Sequence, residues 1–173
     1  MKIKTIMLLV LISAIGISGC ADYNGSEEDA MADDELDAQV SEPDAAAIFS
    51  KITDVDGYKE WSIWPGNESL EEGTGVHGEY VTVYVSDNAI SSAESGGEML
   101  PYETMVVKEG FNADEELTGI YLMYKIEDYD PGNNDWFWAA YSPDGSVNAE
   151  GRVDGCINCH YDVNAADYVF YNA

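Results

Sequence analysis

The segment Cys156-Ile157-Asn158-Cys159-His160 constrains this chain more than any other. C-x-x-C-H is the attachment signal of a c-type haem. Two thiols three residues apart each form a thioether to one vinyl group of a single porphyrin, and the adjacent histidine becomes the proximal ligand of the iron. A redox C-x-x-C or half of a zinc site uses the same residue types. A zinc site needs two further soft ligands, and the chain has only Cys20 and His77 besides. The complete motif therefore points to one haem c per chain, with Cys156 and Cys159 as thioether donors and His160 on the iron.

The start of the chain reads as an address. Residues 1–19 have a charged start at Lys2 and Lys4, an apolar run from Ile6 to Ile15, and small residues before Cys20. That run is short for a membrane span and has the form of an export signal. Ile17-Ser18-Gly19-Cys20 resembles a lipobox, which implies cleavage before Cys20, a diacylglyceryl group on its sulfur and a membrane-anchored domain on the extracytoplasmic side. An ordinary signal peptide with a chance cysteine is the plainer alternative. One cysteine to lipid and two to haem leave none for a disulfide. Residues 20–45 carry the acidic block Glu27–Glu35 and read as a solvated tether, or else as a docking tail for a basic partner. The folded domain is expected over residues 46–173.

Charge excludes one class of partner. The chain has 34 acidic and 7 basic residues, a net charge of −27. Nucleic acid binding needs clustered Lys and Arg, so no nucleic acid partner is expected.

Within the domain, Ala46 to Thr53 has helical spacing at Ile48, Phe49 and Ile52. Four strands are predicted: Glu79–Val85, Glu103–Glu109, Leu117–Ile126 and Asp135–Ser142, all rich in β-branched or aromatic residues. Ser86–Ser95 reads as a capped helix stopped by Gly96-Gly97. Asp167-Tyr168-Val169-Phe170 is apolar and should fold back onto the domain. The fold class is α+β, mainly β: an antiparallel sheet with a few flanking helices and a C-terminal haem-binding segment.

An ordered set of short segments then resembles a family. It comprises Tyr58-Lys59-Glu60-Trp61, His77-Gly78 before Val81-Thr82-Val83-Tyr84-Val85, and Val106-Val107-Lys108-Glu109. Tyr129-Asp130-Pro131 before Asp135-Trp136-Phe137-Trp138, and C-x-x-C-H followed by Asp167-Tyr168-Val169-Phe170, complete it. Together, over about residues 46–171, they resemble cytochrome P-460 and its relative cytochrome c′-beta. The resemblance implies an antiparallel sheet with flanking helices, a homodimer, and one haem per chain with a vacant distal site. Some members oxidise hydroxylamine and link their haem to a lysine; the matching position is Lys108. Others lack the link and bind gases such as nitric oxide. Where a hydroxylamine-oxidising member has an arginine, this chain has Val81, so the resemblance here favours an unlinked Lys108.

The other candidates are few. His77 is the one further histidine, either a second axial ligand or a structural residue beside glycine. Met99, Met105 and Met123 are possible iron ligands, although Met105 and Met123 sit within strands and read as core. Asp128, Asp130, Asn133 and Asp135 have calcium-like spacing, but Pro131 breaks the loop order and favours a turn. Trp61, Trp64, Trp136 and Trp138 are expected in the core or the pocket wall. The expected function is a haem c protein that binds a small gas or nitrogen-oxide ligand or transfers electrons to a partner the sequence does not identify. The alternative is a hydroxylamine-oxidising oxidoreductase with Lys108 linked to haem.

Overall fold

The computed structural model describes residues 41–96 and 99–171. The export-type segment, Cys20 and the acidic block lie outside the described residues. No described helix is long and apolar enough to cross a membrane.

Asp44 starts the first helix, α1 (Ala45–Ser50), by accepting the N–H groups of Ala46 and Ala47 at 2.9 and 3.1 Å. The predicted helix to Thr53 is cut short. Thr53 turns its hydroxyl back to the Phe49 carbonyl at 2.8 Å, and the chain widens into a π-turn over Lys51–Val55. Packing begins ahead of Ala46. Ala45 is buried, and Glu42 accepts bonds from Tyr129 Oη at 2.9 Å and Arg152 Nη1 at 2.6 Å.

Two short strands follow, β1 (Ser62–Ile63) and β2 (Glu71–Glu72), then β3 (Tyr80–Val85). A 3-10 turn at Asp87–Ala89 leads into α2 (Ile90–Ser95). The chain continues through β4 (Met105–Phe111), β5 (Leu117–Lys125), β6 (Trp136–Tyr141) and β7 (Val147–Gly151), and reaches α3 (Asp154–His160). Among the described residues the strands form one seven-stranded antiparallel sheet in the order β1-β3-β4-β5-β6-β7, with β2 also pairing β3. The four predicted strands are present with ends shifted by one or two residues. The sequence reading missed β1, β2 and β7.

Residues paired across a ladder share a face, so the register sorts the side chains. One face carries a row of Val85, Val106, Met123 and Trp138. Next to it runs a row of Val83, Lys108, Tyr121 and Ala140, and beyond that Val81, Gly110 and Gly119. The opposite face carries Tyr84, Val107, Leu122 and Ala139. That opposite face packs on Ala45, Ile52 and Tyr58 from the N-terminal helical segment. The first face packs on Trp64, Ala93, Ile157, Tyr168 and Val169, so α2, α3 and the tail lie over it. Burying one large apolar side chain contributes roughly 1.5–3 kcal/mol. With both faces covered, Trp136, Phe137, Trp138 and Ala139 are buried at four consecutive positions. The sheet is the middle layer of three.

Candidate functional site

The site lies on the face covered by α3 and the tail. Helical spacing puts Cys156 and Cys159 within one turn, and both line a cavity of about 260 Å³. Cys159 is exposed and Cys156 half-buried, with burial raising the Cys156 thiol pKa. His160 ends α3 and lines the same cavity. The structure thus brings all three residues of the motif to one space.

His160 is oriented by the tail. Its Nδ1 is 2.7 Å from the carbonyl of Tyr168. A carbonyl only accepts, so Nδ1 carries the proton and Nε2 keeps its lone pair, the tautomer a metal ligand requires. Burial lowers the His160 pKa, the Tyr168 bond opposes that, and Lys108 adds to it. The ring stands edge-on to Trp138 and Phe170, with centroids 4.8 and 5.2 Å away.

Tyr168 is itself fixed by a residue the sequence reading took only as part of an apolar stretch. Asp167 is fully buried, and both its oxygens lie 2.6 Å from Lys125 Nζ. It also accepts the N–H of Leu100 at 2.8 Å and of Asn134 Nδ2 at 3.1 Å, and its carbonyl accepts Trp136 Nε1 at 2.8 Å. Asp167 and Tyr168 have φ of +56° and +64°, a left-handed turn that these bonds hold in place. The signal for this was an aspartate directly ahead of an apolar tail.

Lys108 also faces the cavity. It is the half-buried interruption in the otherwise buried run Met105–Gly110. Burial lowers its pKa, with Glu71 and Cys159 acting in the other direction. No ion pair within 4.0 Å is found for it among the described residues, whereas Lys51, Lys59 and Lys125 each have one. Val81 is buried one row beyond Lys108.

His77 is neither solvent-facing nor distant. It lines the cavity, with its ring 4.4 Å from that of Tyr121 and 6.3 Å from that of His160. Burial, then the charges of Lys108 and His160, push its pKa down to about 4. Met123 also lines the cavity, whereas Met105 faces the other layer and Met99 is exposed. The calcium-like loop is a hydrogen-bonded turn. Asp135 Oδ1 accepts Asp130 N–H and Asp130 Oδ2 accepts Asn133 Nδ2, so the oxygens are engaged locally.

The sequence model of the cytochrome P460 family matches residues 55–171, from the π-turn through the tail. The chain belongs to the cytochrome P460 family. It is a haem cytochrome of mainly β architecture. None of the curated proteins searched matches it.

The cavity fits the group this family carries. Three buried nitrogens among the described residues have no hydrogen-bond partner: Trp64 Nε1, His77 Nδ1 and Trp138 Nε1. All three belong to residues lining this one cavity. Buried polar atoms in native proteins are nearly always paired, so their convergence marks a space built for a ligand. Val83, Val106, Val169 and Phe170 supply apolar wall, and no carboxylate is among the lining residues. In a P460-family chain with 34 acidic residues, that exclusion selects the chemistry of the space.

Proposed function

We propose that this cytochrome holds one haem c and binds a small nitrogen-oxide ligand, or passes electrons, at an iron held by His160. Cys156 and Cys159 would carry the thioethers. The carrying observation is the cavity itself, which combines an oriented neutral imidazole with a largely apolar wall that has no carboxylate among the described residues. Bound haem supplies an iron that takes up a small diatomic ligand. The protein's own part is to orient and to exclude. Tyr168 holds the His160 ring, Asp167 holds Tyr168, and the apolar residues keep out bulk water. Dehydrogenating hydroxylamine needs a group that accepts its protons. No carboxylate lines the cavity among the described residues, which leaves His77 and Lys108 as its possible proton acceptors, so the ligand-binding reading rests on the oriented His160 and the apolar wall.

The test is extraction of the purified holoprotein with acidified acetone, followed by spectra of the ferrous form. Haem should stay on the polypeptide, the Soret band should lack a strong red shift, and nitric oxide should bind reversibly. Haem released intact would defeat the thioether assignment.

A second reading is supported by Lys108. Its amine faces the cavity without an ion pair, a position in which a covalent link would consume it. Peptide mass mapping separates the two. A haem peptide joining the Cys156–His160 segment to a Lys108 fragment would make hydroxylamine oxidation the leading function.

Location and assembly are proposed with this reading. Cys20 would carry the lipid anchor, since two acyl chains give stable membrane attachment where one does not. Unchanged membrane partitioning of Cys20→Ala would refute it. The chain would act as a homodimer, with a redox partner of its own, and a monomer in sedimentation at micromolar concentration would count against that assembly.

A further inference from the structure

We propose that the mouth of the cavity is the docking surface for a basic electron-carrying protein, one whose own redox centre is ringed by lysines. This rests on the haem c reading above and deepens its electron-transfer branch by naming the kind of partner and the residues that meet it.

The cavity opens among exposed residues. Cys159, Val76 and Phe170 all line it and are all exposed, Val76 at 70%. Tyr161, directly after His160, is 57% exposed. These side chains are held in place. Val76 sits in a turn closed by the Gly75 N–H on the Gly78 carbonyl at 3.1 Å. The carbonyl of His77 sits over Gly110, where an added Cβ would lie 1.7 Å from it, and only glycine permits that approach. Phe170 stands edge-on to His160, and the Tyr161 ring lies 6.2 Å from that of Tyr168. Apolar side chains kept in water around one opening mark a contact surface.

Charge selects the partner. Glu68 follows the lining residue Asn67, Asp154 precedes the lining Gly155, and Asp162 lies two positions after His160; all three acids are exposed. Glu71 shares the cavity face of the sheet with Val81, and its charge reaches Lys108. Among the described residues no exposed cation answers these acids at the mouth. Lys51 and Lys59 belong to the layer on the opposite face, and Lys125 is buried. Lys108 is half-buried inside the cavity, and Arg152 is held by Glu42 at 2.6 Å. Across the sheet, the exposed Val55 also lies between acids, Asp54 and Asp56, but there Lys51 pairs with Asp56 at 3.7 Å. That layer mixes its signs, whereas the mouth combines apolar side chains with one sign only.

A second copy of this chain fits that surface badly, because each copy brings 34 acids against 7 bases to a like-charged contact. A basic protein meets the opposite field and is steered to the opening, where an apolar centre with a charged rim is the ordinary anatomy of an interface. Docked there, its redox centre faces Cys159, the exposed thioether position. One electron passes from ferrous iron in this chain to ferric iron in the partner. No proton moves, and no bond is made or broken.

The probe is mitochondrial cytochrome c, a small carrier with a lysine-rich rim. Carbodiimide joins a carboxylate directly to an amine in contact with it. With the holoprotein at low salt it should link probe lysines to Glu68, Asp154 or Asp162 and not to Asp54 or Glu60. Reduction of the ferric probe by the ferrous holoprotein should slow steeply between about 0.01 M and about 0.15 M salt, as the screening length falls from about 30 to about 8 Å. Glu68→Lys with Asp162→Lys should lower the second-order rate constant at low salt by about tenfold or more. Asp54→Lys with Glu60→Lys makes the same change in net charge and should lower it by less than about twofold. Equal losses in the two pairs would show that total charge alone attracts the probe, and would overturn the proposal. So would cross-links confined to the acidic block Glu27–Glu35, no electron transfer, or mouth acids joined instead to Lys51 or Lys59 of a second copy. The cross-link map of the parent decides the matter even if a variant fails to fold. Haem retained on extraction with the cross-links elsewhere defeats this inference alone, whereas haem lost on extraction defeats it together with the haem c reading.

Discussion

Asp167 is completely buried and still has to satisfy a charge. Lys125, the Leu100 N–H and Asn134 do so together. Removing one partner of a buried pair strands the other, which typically costs 3–5 kcal/mol, far more than the pair contributes net. Asp167→Asn is therefore expected to lower unfolding stability by about 3–5 kcal/mol. Urea denaturation checks this, and a loss under about 1 kcal/mol would show that Lys125 finds another partner. The double change Lys125→Met with Asp167→Leu should recover only part of the loss. It removes both charges but leaves the Leu100 N–H unpaired, at a cost of about 1–3 kcal/mol. Because Tyr168 follows directly, the same variants should also disturb the orientation of the His160 ring.

At the scale of the element, β4 decides the chemistry by alternation. Lys108 faces the cavity while Glu109 faces the other layer, where it accepts Tyr58 Oη at 2.7 Å and pairs with Lys59 at 2.9 Å. A one-residue slip would exchange them and put a carboxylate beside the cysteines. Lys108→Met removes a desolvated ammonium with no ion pair. It should leave stability unchanged or raise it by about 1 kcal/mol in thermal unfolding of the haem-loaded protein. A loss above about 2 kcal/mol would reveal a partner for the amine, covalent or ionic. The strands β3 to β6 were legible because their β-branched and aromatic runs are long. In β1 and β2 only two residues pair, and β7 is a polar edge, Val-Asn-Ala-Glu-Gly, so none carries a periodic signal. The candidate site divides in the same way. The motif of Cys156, Cys159 and His160 is local and readable. His77 over Gly110, Trp64 in the wall and Asp167 on Lys125 join residues far apart in sequence, and only the sheet register brings them together.

At the scale of the whole molecule, the layer beneath α1 holds several phenols away from water. Burial first, and then Glu109, raise the pKa values of Tyr58 and Tyr84, the latter to about 12. Burial and the bond to Glu42 raise Tyr129 to about 12, and burial with Glu150 and Asp44 raises Tyr141. In the unfolded chain tyrosines ionise near pH 10. The folded state therefore disfavours ionisation of these groups. Their contribution to stability is fully present below about pH 10 and is lost as pH rises through about 12. Tyrosinate absorbance should show exposed tyrosines titrating first and these four appearing late, together with unfolding. A single smooth titration centred near pH 10 would contradict the buried layer.

The position of Asp167 also dictates a sequence of events in synthesis. Its partners Lys125 and Leu100 lie 42 and 67 positions earlier. The strands leave the ribosome well before the residue that locks the tail to them. A chain ending at residue 166 lacks that lock and should remain sensitive to protease. Until the tail closes, α3 lacks a packing neighbour and the His160 ring lacks the carbonyl that orients it. Closure of the tail then sets the ring of His160.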